Sequence, residues 1–112
     1  MASLVTVGLF GTQTRTATLV AVHALGETHA AELARIIGRS LSRVQASLDS
    51  LERAGVLVGA LEGGARRVRL SPRYPAKPEL EALLDRLVSL DTQLLDRLAA
   101  ERRRPRRAGK SL

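Results

Sequence analysis

The chain of 112 residues contains no cysteine, which excludes a disulfide framework, a thiolate metal site and a thiol redox sensor, and fits a reducing compartment. Aromatic residues are nearly missing as well: one Phe, one Tyr and no Trp. With 45% of residues hydrophobic, the core must be assembled from Leu, Val, Ile and Ala, a composition that helices supply readily. No apolar run approaches the roughly 18 residues of a membrane span, and the apolar start at residues 1–10 lacks the basic flank and cleavage pattern of an export signal. The expectation is a soluble cytoplasmic chain without a membrane partner. Catalytic signatures are equally scarce. There is no Cys nucleophile, no Gly-rich phosphate loop carrying Lys and no paired His and carboxylate motif, so no enzyme is expected. His23 and His29, without a carboxylate pattern beside them, fall short of a metal site and read as solvated or packed side chains, and no metal or cofactor is expected.

What the chain has in excess is positive charge. The net charge is +7, which favours a polyanionic partner, nucleic acid first and an anionic surface second. Residues 101–112 hold Arg102, Arg103, Arg104, Arg106, Arg107 and Lys110 against Glu101, so five of the seven charges sit in this tail and only two in the rest. The tail contains Pro105 and Gly109 and has no apolar face to fold with, so it reads as disordered, with at most base-independent affinity for phosphates.

Length supports one small domain, divided as a lead-in over 1–13, a central domain over 14–75, a helix over 76–100 and the basic tail over 101–112. In the lead-in, Leu4, Val5, Val7, Leu9 and Phe10 read as packing residues. Thr14 predicts the cap of a first helix whose stripe Ala17, Val20, Ala21, Ala24 and Leu25 ends at Gly26. Thr28 predicts the cap of a second, with Ala30, Leu33, Ala34 and Ile37 inward and Gly38 as its stop. Ser40 caps a third, over 40–54, with Leu41, Val44, Leu48 and Leu51 inward and Gly55 as its stop. Placing successive residues 100° apart puts Ser42, Ala46, Asp49 and Arg53 outward, flanked by Arg43, Gln45 and Ser50. Residues 56–70 then read as a β-hairpin turning at Glu62-Gly63-Gly64-Ala65, with Val68 and Leu70 on one side, Arg67 and Arg69 on the other, and Arg66 and Arg67 at or near the tip. Two helices joined by Gly38-Arg39-Ser40 and followed by a basic hairpin form the pattern of a winged helix-turn-helix, mainly α with a small β-hairpin, and make residues 14–75 the expected DNA-binding domain.

Ser71-Pro72-Arg73-Tyr74-Pro75 breaks regular structure and connects to the last helix. There Leu80, Leu83, Leu84, Leu87, Leu90 and Leu94 line one long stripe, more than so small a chain can cover alone. The expectation is a dimerisation helix pairing two copies, in keeping with the two-fold symmetry of most helix-turn-helix operators.

The run from Leu9 to Arg15, then Glu32-Leu33-Ala34-Arg35-Ile36-Ile37-Gly38, Ser42-Arg43-Val44-Gln45 and the stretch 48–57 resembles ArsR-like winged-helix transcriptional regulators, and the resemblance spans about 9–74. The motifs do not separate ArsR-like from MarR-like subfamilies. By position, the resemblance implies that Ser40, Ser42, Arg43, Gln45 and Ala46 approach the major groove while Arg66 and Arg67, with Arg69 behind them, serve the wing. Arg43 suits guanine, Gln45 adenine, Ala46 a thymine methyl, and Ser40 or Ser42 a phosphate. The role of Asp49 stays open. The metal-sensing residues of that family are missing, since the matching helix reads Leu33-Ala34-Arg35, and no small-molecule effector is assigned. The reading is a homodimeric repressor binding double-stranded DNA; the alternative is a winged-helix protein-interaction module whose nucleic-acid affinity comes only from the tail.

Overall fold

The computed structural model describes residues 8–103. Leu4, Val5 and Val7 of the lead-in, and the tail from Arg104 onward, lie outside the described residues. Among these the chain is mainly helical, with a small three-stranded antiparallel sheet.

The first helix, α1 (Gln13–Leu25), begins two residues earlier than expected. Thr12, not Thr14, is its cap, and the Thr12 hydroxyl accepts from the Arg15 N–H at 2.9 Å. The Phe10 N–H donates to the Thr16 hydroxyl at 2.8 Å, which ties the end of the lead-in to the helix. Every residue from Thr16 to Val22 is buried, so α1 is the axis of the fold rather than a helix with one wet face; its small and β-branched side chains allow neighbours to approach from several sides.

Strand β1 (Glu27–Thr28) follows. Here the expectation that Thr28 caps the second helix is corrected: Thr28 pairs with Val68, and His29 caps α2 (Ala30–Ile37), its Nδ1 accepting from the Glu32 N–H at 3.3 Å. A two-residue strand is too short to carry an alternation, and its partner lies 40 residues further along, so nothing local announces it. Gly38, left-handed at φ 69°, ends α2 as its position required.

Ser40 caps α3 (Leu41–Arg53) through the Arg43 N–H. Strands β2 (Leu57–Glu62) and β3 (Ala65–Leu70) then form the hairpin, with Gly63 and Gly64 at φ 59° and 83° in the two-residue turn. Two consecutive positive φ angles give the primed turn that matches strand twist, and only Gly takes both freely. Sheet order is β1-β3-β2. Val68 and Leu70 are buried on its inner face.

The last element departs most from the sequence reading. In place of one helix there are two, α4 (Lys77–Leu90) and α5 (Thr92–Arg103), broken at Asp91. Asp91 is fully buried and extended, and its carboxylate accepts from the Leu94 N–H at 2.9 Å. A side chain that caps a new helix lets the chain turn and fold α5 back toward α2. Helix α5 also runs through Glu101 and Arg102 to Arg103, so the first three residues assigned to the disordered tail are helical. Leu84 and Leu94, expected at a dimer interface, are 0% and 1% exposed and belong to the chain's own core. Leu80 and Leu87 pack partly against that core, Leu90 is half-buried, and Leu83 stays 42% exposed. No helix among the described residues is long and apolar enough to cross a membrane.

Candidate functional site

The outward face of α3 is open from its first turn onward. Ser42, Arg43, Gln45, Ala46 and Asp49 are all exposed, while Val44, Ser47, Leu48 and Leu51 turn inward; Leu41, expected inward, is 47% exposed because it opens the helix, ahead of the turns that pack on the core. Ser40, the cap, is also exposed, and its hydroxyl lies 3.4 Å from that of Ser42. Thus the five residues expected on this surface stand together at one end of one helix, and the capping bond fixes how that end leaves Gly38.

Along one flank of α3 runs the hairpin. In its register Arg67 opposes Ala60 and Arg69 opposes Val58, on the outer face, whereas Arg66 opposes Leu61 on the face turned to α3. Arg66 therefore differs from the other two. Its Nη2 lies 3.0 Å from Asp49 Oδ1 and 3.0 Å from Glu52 Oε2, so one guanidinium bridges two carboxylates a helical turn's reach apart. Burial works against the Arg66 charge, but hydrogen bonding to Glu52 and Asp49 outweighs it and raises its pKa. The carboxylate of Glu52 lies directly over Gly59 of β2, in the space a Cβ would take. Asp49, whose role the sequence left open, thus joins α3 to the hairpin. No pattern along the chain pairs residues 49, 52 and 66, because the pairing arises only when the hairpin folds back on the helix.

The other flank of α3 meets the first turn of α1. Thr12, Gln13, Thr14 and Arg15 on one side and Arg43, Ala46, Ser47 and Ser50 on the other enclose a groove, with Arg39 from the α2–α3 turn at its end. Arg15 Nη1 donates to the Ser50 hydroxyl.

Helix α5 holds the turn before α3 from behind. Arg97 Nη1 donates to the Ile36 carbonyl at 3.0 Å, and Arg35 pairs with Glu101 at 2.7 Å. The hydrogen bond from Arg35 to Glu101, opposed by burial, raises the Arg35 pKa. Both histidines have partners within the fold: His29 caps α2, and His23 Nε2 meets Asp85 Oδ1 at 2.5 Å, joining α1 to α4. Among the described residues no group of three or more His, Cys, Asp or Glu side chains is placed to hold a metal. Comparisons with protein-family models, with curated proteins and with solved structures give no match.

Proposed function

We propose that the chain is a winged helix-turn-helix regulator of transcription that binds double-stranded DNA as a homodimer, with α3 in the major groove and the β2–β3 hairpin as a wing on the backbone or minor groove. One observation carries the reading: the exposed strip Ser42, Arg43, Gln45 and Ala46 stands on a capped 13-residue helix with an arginine-bearing hairpin beside it. A helix end presenting small, polar and cationic side chains is what base edges require, and the hairpin gives the adjacent cations that phosphates require. Arg43 is assigned to guanine, Gln45 to adenine, Ala46 to a thymine methyl, and Ser40 and Ser42 to phosphate. On the wing the contacts fall to Arg67 and Arg69, which face outward, while Arg66 serves the α3–hairpin joint. The resemblance of the α2–α3 motifs to ArsR-like regulators points the same way, and repression by occluding a promoter is its simplest outcome. The second copy is received on α4 through Leu83 and the half-buried Leu80, Leu87 and Leu90 beside it.

Selection from random duplex DNA at physiological salt, with the full chain and a competing polyanion present, tests the reading. Enrichment of an inverted repeat with half-sites about one helical turn apart is expected. A folded chain that enriches nothing overturns it in favour of a protein-interaction module with tail-borne affinity. On an enriched duplex, Arg43→Ala is expected to lose about 1–3 kcal/mol and to blur discrimination, whereas Arg67→Ala weakens all sequences alike and flattens the salt dependence. Equal losses on every sequence for both variants would remove α3 from base reading.

A further inference from the structure

The two flanks of α3 are electrostatically opposite in kind. On the hairpin side, Asp49 and Glu52 neutralise Arg66. On the α1 side, the groove is lined by Arg15, Arg39 and Arg43 and by no carboxylate. Elsewhere Arg35 pairs with Glu101 and Lys77 with Glu81, but neither Arg39 nor Arg43 has an ion-pair partner among the described residues, and the bond from Arg15 goes to a neutral serine. Three guanidiniums around one groove repel one another unless an anion joins them, and each offers donors in the fork that suits a phosphate. The floor is shaped for such a guest: Ala46, Ser47 and Ser50 are small, so an oxyanion can come close to α3, and the Thr12, Thr14 and Ser47 hydroxyls add neutral donors around it.

Resting on the DNA-binding reading above, we infer that the groove between α1 and α3 is a phosphate-binding site, with Arg39 as its principal free cation, Arg15 as its wall and Arg43 at the lip where groove and base-reading strip meet. The phosphate is that of a duplex backbone, one strand being held on the α1 side of α3 while the hairpin lies toward the other. A free phosphorylated small molecule offers the same chemistry and is separated from the backbone by experiment.

Binding of the full chain and of Arg39→Ala and Arg39→Lys to an enriched and a scrambled duplex is measured from low to physiological salt, with thermal melts as the folding control. In parallel, inorganic pyrophosphate is titrated into the full chain while the backbone amides are followed by NMR. A backbone phosphate at Arg39 predicts that Arg39→Ala weakens both duplexes by the same factor and makes the salt slope shallower by about one, and that Arg39→Lys largely restores it. Unchanged duplex binding together with pyrophosphate shifts confined to Gln13, Ala46, Ser47 and their neighbours assigns the groove to a free phosphorylated ligand. If the unaltered chain binds no duplex at all, the DNA reading fails and the groove is judged by the pyrophosphate titration alone. An unchanged salt slope combined with no pyrophosphate shifts in the groove overturns the inference.

Discussion

Arg66 illustrates how far a side chain's chemistry depends on the face it lands on. In sequence it is one of three arginines in Arg66-Arg67-Val68-Arg69, all equally suited to a phosphate. The pleat separates them, placing Arg66 against α3 and leaving Arg67 and Arg69 outside. Two carboxylates then hold it, and they bind a guanidinium that is partly shielded from water, with 37% of the side chain exposed. Exposed ion pairs contribute little, and a coupling of about 0.2–1 kcal/mol between Asp49 and Arg66 is expected from a double-mutant cycle in denaturant unfolding. Because the Arg66 pKa is raised in the folded chain, this contribution is complete below the unfolded-state value and is lost only as pH rises through the folded one, far above neutrality. The coupling should therefore be the same at pH 6 and pH 9. A coupling of zero, with Arg66→Ala instead flattening the salt dependence of DNA binding in the way expected of Arg67→Ala, would move Arg66 to the set proposed to face DNA.

At the scale of the element, the breaks matter more than the helices. Asp91 is the sole element boundary in the described C-terminal half with no Gly or Pro beside it: Leu90-Asp91-Thr92 interrupts a leucine stripe whose spacing continues across it unchanged. Replacing Asp91 by Ala removes the acceptor of a buried N–H, and a loss of about 1–3 kcal/mol is expected. For a domain of this size that lowers the melting midpoint by about 4–8 °C per kcal/mol. Asp91→Asn, which keeps an acceptor at the same reach, should recover most of it; a melt unchanged by Asp91→Ala would mean that the α4–α5 corner does not depend on its cap. The signal was present in the sequence, since an Asp preceding an apolar period is a helix start, but periodicity outweighed it. The reverse holds for α2, α3 and the hairpin, where a capping serine and glycines at positive φ coincide with changes of period, and those elements were legible almost to the residue. Strand β1 and the Asp49–Arg66–Glu52 joint were not legible, because each is defined by a partner distant in sequence.

For the whole molecule, folding α5 back onto α2 changes the account of its leucines. A single straight helix would have projected its stripe away from the body, whereas the corner at Asp91 turns Leu94 and Leu98 into the core, together with Leu84 from α4. The surface left for a second copy is smaller than the sequence suggested: Leu83, 42% exposed, and its half-buried neighbours on α4, with Leu95 of α5 a further exposed leucine at 39%. In the homodimer proposed above, the hydrophobic gain at the centre of such a patch is sensitive to a single charge. Leu83→Glu places a carboxylate there without touching the core, so its melt should stay near that of the unaltered chain while sedimentation equilibrium shifts from a dimeric to a monomeric mass at micromolar concentration. Binding to an inverted repeat should weaken with it, as both half-sites no longer engage one rigid pair, while binding to a single half-site should be retained. A dimer that survives Leu83→Glu would move the two-fold axis off α4. A monomeric mass for the unaltered chain would remove the homodimer altogether, and a half-site rather than a repeat would then be the expected target.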